Sequence, residues 1–420
     1  MILNCTPELP DESGSGLIYV IYLSLLFGIL VAIVIAARLV ERRAFATAIT
    51  LEQTRYVAEA GIVMAINDST LNYSFPTVKK YDWIGHEIEV QSEPFGAYLR
   101  WVSSTTNSIH QCSSNAYIGT DPHDIVDMAI HLSDVDKRLF VTGSTTVIGD
   151  VVLRGGSLER GSLGGKSFRG QLSGDVITDG SPDTFQFGQS VHVYITRLDS
   201  LLRSDGSSGV SSPRNSKEAF QYFSSTDITL TDTGWIPDGS VVATAGVLKL
   251  SHGVESNFTI YYGRDGVDIS GSRTAGGQFF SRRYISIADS SHVPFPSIAF
   301  VSGDPKTAQI RIDSTSVFDG TLAYHAYDLP EASQIANVAV SRGAIVRGAI
   351  INDAATSISG TLFGTVATRS FFFYESPSTY VNWLQDARID VYKRPAWFTT
   401  GMLQDVSLAT VQSQTSCKRI

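Results

Sequence analysis

Residues 17–37 read LIYVIYLSLLFGILVAIVIAA, and no side chain in that run is charged. An α-helix rises about 1.5 Å per residue, so this run spans about 31 Å, the thickness of a bilayer's hydrocarbon core. Ser24 and Gly28 are tolerated in such a helix. A core helix of a soluble protein rarely runs this far without a charge. A cleaved secretory signal is shorter, and it carries a basic start and a small-residue cleavage site that are missing here. The run predicts a single membrane span near the N-terminus.

The helical pattern does not stop at the membrane. Residues 38–66 (RLVERRAFATAITLEQTRYVAEAGIVMAI) contain no proline. Ala44, Ala48, Leu51, Ala58, Ile62 and Ala65 recur at spacings of four and three, interrupted at Arg55, and Phe45, Ile49, Tyr56 and Val63 widen the face. Glu52–Arg55 and Arg55–Glu59 are spaced as helical ion pairs. Asn67-Asp68-Ser69 ends the pattern, so one helix is predicted over 17–67, half apolar and half amphipathic, about 76 Å long.

This layout resembles the type IV pilin superfamily, and within it the PilX-like minor pilins and the minor pseudopilins of type II secretion. The resemblance rests on Gly16-Leu17, on the long helix and on Ala58-Glu59-Ala60-Gly61 after an Arg/Glu-rich stretch, about one-sixth of the chain. It implies a leader over 1–16 removed by a prepilin peptidase between Gly16 and Leu17, and a β-rich head. Most major pilins carry a glutamate at the fifth position after the cut. Here that position is Ile21, which points to a minor or tip subunit. The usual phenylalanine after the glycine is Leu17. The leader carries Glu8, Asp11 and Glu12, whereas Arg38, Arg42 and Arg43 follow the span. The positive-inside rule would therefore place the head in the cytoplasm, opposite to a pilin.

The remaining chain is β-rich. With 43% hydrophobic and 17% charged residues it has ample material for a large core, which excludes global disorder. A net charge of −9 and the lack of a basic stripe argue against nucleic acid as a partner. Alternation predicts strands near 86–91 and 97–103 within a mixed α/β neck over 69–138. Over 139–180, Gly143, Gly149, Gly155 and Gly161 stand six apart, with Val141, Val147 and Leu153 two residues before the first three. That beat predicts a β-solenoid block. A second, less regular block covers 297–373, residues 181–296 read as a β-rich insertion, and 374–420 as a C-terminal cap rich in Tyr380, Trp383, Tyr392, Trp397 and Phe398. The expected fold is thus mainly β: a pilin-like helix followed by a β-solenoid-like head with an inserted β-rich region.

The sequence contains no G-x-S-x-G, H-E-x-x-H or G-x-x-x-x-G-K-[ST] motif. Gly161–Ser167 ends in Gly-Lys-Ser but lacks the glycine spacing of a phosphate loop. Among Asp121, His123, Asp124, Asp127 and His131, Asp127 and His131 stand four apart and are expected to share a helix face, a spacing that permits metal binding, though a solvated helix accounts for them as well. No catalytic residue, cofactor or metal is expected. Of Cys5, Cys112 and Cys417, the last two could pair in an oxidising compartment, or all three could be free thiols.

The expectation is a non-enzymatic minor pilin or pseudopilin-like subunit in the bacterial inner membrane, its head in the periplasm or on an extracellular filament. The implied partners are other pilin-like subunits, a prepilin peptidase, membrane lipid and a surface or polysaccharide ligand of the head. An unprocessed, membrane-anchored solenoid adhesin is the alternative, and a cytoplasm-facing, bactofilin-like scaffold the third reading.

Overall fold

In the computed structural model, helix α1 runs unbroken from Ser13 to Asn67. The structure describes residues 13–68, 76–107, 110–120, 127–178, 187, 189–204, 219–232, 234–271, 274–327, 335–396, 398 and 408–419. Three threonines sit inside α1 without breaking it, because each hydroxyl donates back to the carbonyl four residues earlier: Thr47 to Arg43 at 2.8 Å, Thr50 to Ala46 at 2.9 Å and Thr54 to Thr50 at 2.7 Å.

An antiparallel sheet follows: β1 (Thr77–Trp83), β2 (His86–Phe95), β3 (Leu99–Asn107) and β4 (His110–Thr120). Ile84 and Gly85 join the first two strands with positive φ (53° and 75°), the geometry of a two-residue hairpin that matches strand twist. The fifth strand is the C-terminal one, Leu408–Arg419, which pairs antiparallel with β4. Of the mixed α/β neck expected over 69–138, residues 77–120 form this sheet, which the C-terminal residues complete, and 130–138 belong to the stack described next.

The rest of the head stands between β4 and its partner. It is a stack of parallel coils with three faces, each face ending at a corner. On the first face Tyr222, Val242, Tyr261, Phe279, Ala299, Leu322, Ile350 and Val366 pair in series. The second face carries Ile228, Leu248, Val267, Ile285, Ile310 and Val338 in the same way. The third includes Val293, Phe318, Val346, Leu362, Ile389 and Val147. These residues turn inward and form one continuous apolar core.

The order of coils in space is not their order in the chain. The ladder passes from Val366 back to Ile130, and on to Val151 and Val176. The chain thus joins the stack in its interior, at 130, and builds toward one end, reached at 177. Helix α2 (Gln189–Ser204) then runs along the outside of the first face, and the coils from 221 onward grow back to the starting point. Helix α2 was not expected. Its Val191, Ile195, Leu198 and Leu202 recur at helical spacing and bury against Ala243, Tyr262, Phe280 and Phe300.

The six-residue glycine beat marks the faces. Gly143, Gly149 and Gly155 sit at successive corners with φ of 60°, 120° and 72°, so three faces of about six residues make one coil. At one corner Gly320, Gly348 and Gly364 have φ of 145–148°, and a Cβ on Gly364 would lie 1.8 Å from the Gly348 carbonyl oxygen. The two blocks read from sequence are one stack, and 221–296, expected as an insertion, supplies coils of it. Within it, Ile260–Gly263 and Gly266–Ser270 are two strands on different faces, each paired in parallel with its neighbours. Nor do Tyr380 and Trp383 cap an end. Trp383 stacks on Phe140 at 4.6 Å, inside the contact between the two blocks. Trp397 lies outside the described residues.

Candidate assembly helix and the sheet behind it

Every large apolar side chain from Leu17 to Val40 is exposed, from 39% at Val31 to 75% at Tyr19. A helix with such a surface has no protein core to fill and is long and apolar enough to cross a membrane. Gly16 and Leu17 lie on this bare part: nothing stands within 4 Å of where a Gly16 Cβ would be, and Leu17 is 67% exposed.

Contact with the head begins at Thr54. Val57, Ala58, Ile62 and Ala65 pack against Ile88, Val90, Val102, Ala116 and Ile118, one face of the antiparallel sheet. Ala58 is fully buried, and Gly61 lies over β3 so closely that a Cβ there would meet the Ser104 Oγ at 2.0 Å and the Ile88 Cγ2 at 2.7 Å. Small residues at 58 and 61 thus set how near the helix comes to the sheet. Glu59 turns outward and pairs with Arg55 at 3.0 Å. Asp68, just past the helix, accepts hydrogen bonds from Lys79 and, at 2.7 Å, from Tyr81, whose hydroxyl pKa is raised mainly by burial and further by Asp68.

The face read from sequence is therefore buried only in its last turns. Ala44, Ala48 and Leu51 are exposed, because the sheet does not reach beyond Thr54. Phe45, Ile49, Tyr56 and Val63 remain 70%, 44%, 62% and 56% exposed, an apolar stripe without cover from the head. Thr54 and Val57 were missed in the sequence, since Arg55 interrupts the pattern beside them and Tyr56 drew the face to the other side.

Cys112 on β4 is disulfide-bonded, and Cys417 is the residue opposite it in the strand register. Asp121, His123 and Asp124 lie outside the described residues. Asp127 and His131 share no helix: Asp127 pairs with Arg394 at 2.8 Å, and His131 is on a first-face strand. Among the described residues no group of three or more His, Cys, Asp or Glu is placed to hold a metal ion. Gly161–Ser167 forms a tight antiparallel turn, and its Lys166 pairs with Asp386.

No family model and no curated protein matches the chain. Among solved structures it is similar to the crystal structure of the competence-associated pilin ComZ from Thermus thermophilus, with 10% identity over 88% of this chain and 98% of that chain and a TM-score of 0.20. An overlap that loose carries no argument, and the fold stands on the pairings described above.

Proposed function

We propose that this protein is a non-enzymatic, pilin-like structural subunit that carries a solenoid-like head on a filament or secretion assembly of the bacterial envelope. One observation carries the reading. A single helix is bare and apolar over its first half, and its last turns, from Thr54 on, lie on an antiparallel sheet that holds the head by two neighbouring strands. A lipid-exposed segment of this kind anchors the subunit before assembly. The same surface can then pack against neighbouring helices, so it is covered in both states and transfer between them costs little. The exposed stripe of Phe45, Ile49, Tyr56 and Val63 extends that surface beyond the bilayer.

In this reading a prepilin peptidase cuts between Gly16 and Leu17, the head faces the periplasm or the outside, and Ile21 suits a minor position, where a carboxylate paired with a neighbour's new amine is not required. The test is the N-terminus of the protein in native membranes, by intact mass and terminal sequencing, with and without Gly16→Glu. A start at Leu17 that is lost in the variant supports the proposal. An uncut N-terminus beside an active peptidase overturns it and leaves a membrane-anchored solenoid.

A further inference from the structure

Helix α2 covers the outside of the first face only in part. Where its first turn begins, beside Phe187 and His192, a cleft of about 500 Å³ opens over the coils in which the two blocks of the stack meet. His131, Asp134, Arg154, His325, Asp353 and Arg369 line it. Sequence puts these residues far apart, and the Val366–Ile130 pairing brings them together.

The polar groups follow the stack. His325 Nδ1 lies 2.6 Å from Asp353 Oδ2, and the other Asp353 oxygen accepts the Ala326 amide at 2.8 Å, so this pair is fixed. Asp353 follows Asn352, whose partner on the next coil is Thr368, and Arg369 follows Thr368. The Asp134 amide donates to the Arg369 carbonyl. Arg369 thus stands between two carboxylates on neighbouring coils. Even so, among the described residues neither Arg369 nor Arg154 has a carboxylate within ion-pair distance, and Arg369 Nη1 is buried without an acceptor. His131 is 2% exposed, and its Nε2 is likewise buried without a partner.

A buried guanidinium nitrogen without an acceptor is costly, and a buried imidazole nitrogen in the same position adds to the cost. The positive end of the α2 dipole lies on the same side, since the helix starts at the cleft. The Arg369 guanidinium and the helix end favour an anionic oxygen, and His131 Nε2 donates to it in the tautomer that carries its proton there. The two carboxylates do the opposite: they repel a bare anion and accept hydrogen bonds from hydroxyls. A ligand that satisfies both sets has an acid group and several hydroxyls on one frame, with an apolar face for the Phe187 and Tyr327 rings. The volume also exceeds what a small inorganic anion needs.

We propose that this cleft binds an acidic saccharide, with the sugar carboxylate held by Arg369, Arg154 and His131 and its hydroxyls by Asp134 and Asp353. The site is independent of processing and of filament assembly.

The test is isothermal titration of the full chain in detergent micelles with trigalacturonic acid as the probe, maltotriose as the neutral control and inorganic phosphate as competitor. The expected result is binding of the acidic trimer at least about tenfold tighter than maltotriose, weakened about tenfold or more by Arg369→Gln and by Arg154→Gln. Arg154 is exposed at the rim, so Arg154→Gln keeps the test open if Arg369→Gln does not fold. Equal affinity for the two trimers, no binding of the acidic one, full affinity in both folded variants, or displacement by equimolar phosphate would each overturn the proposal.

Discussion

Val366, in the last long strand of the stack, lies directly beside Ile130, in its first short one, in parallel register. This pairing closes the stack where the chain enters and leaves it. Ile130 is fully buried, so Ile130→Ala removes core contacts from a single well-packed site. A loss of about 2–5 kcal/mol is expected, as for other large-to-small core changes. Denaturant unfolding followed by circular dichroism measures it, and a loss below about 1 kcal/mol would mean that the two blocks hold separately.

Gly61 fixes the distance between α1 and the sheet. Gly61→Ala places a methyl group against the Ser104 side chain and is expected to cost about 1–3 kcal/mol, despite alanine's better helix propensity. Adding Ser104→Gly removes the nearest obstacle and should recover part of the loss. The double-mutant cycle reads that coupling, and strict additivity would show that the close approach is not what matters.

Cys112 is disulfide-bonded and Cys417 lies opposite it in the register of β4, so Cys417 is the expected partner. Mapping of tryptic peptides without reductant should recover this pair. Cys112→Ser should destabilise the sheet by about 2–5 kcal/mol, and reductant should then have no further effect on that variant. A Cys112 peptide linked elsewhere, or a free thiol at 112, rejects the assignment.

Asp386 joins the last coil to the first. Its Oδ1 accepts from the Ser144 amide at 2.9 Å and hydroxyl at 3.0 Å, and its Oδ2 lies 2.9 Å from Lys166 Nζ. The backbone hydrogen bond from Ser144, with Lys166 adding to it, lowers the carboxyl pKa to about 2. A depressed carboxyl pKa contributes stability that is fully present above the unfolded value near 3.8 and lost as pH falls through the folded value. Asp386→Asn should therefore melt at a lower temperature than the parent at pH 6, and the gap should shrink between about pH 4 and pH 2. A gap that stays constant across that range would place the contribution of Asp386 outside its charge.

The helix was legible because an uncharged apolar run has few alternatives, and strands β2 and β3 because alternation is visible within one segment. The glycine beat at 143, 149 and 155 was legible because corners need residues that accept positive φ. The stacking order was not. Parallel pairing joins residues such as Val366 and Ile130 that share no local pattern, and the inward rows of 221–296 look the same in sequence whether the segment is an insertion or a set of coils. Arg55 hid the start of the contact between α1 and the sheet, and Tyr56, read as part of the face, is exposed. The cleft was invisible for the same reason as the stacking order: His131, Arg154 and Arg369 meet only through the fold, and His131 read as part of a helical pair with Asp127.

The head's insertion between β4 and the C-terminal strand has a mechanical consequence. Load transmitted from α1 through the sheet enters the stack at two adjoining coils in its interior and at neither end. The coils on both sides of this junction lie off the chain's path between the sheet and the stack, so a change in their number leaves the connection to the sheet intact.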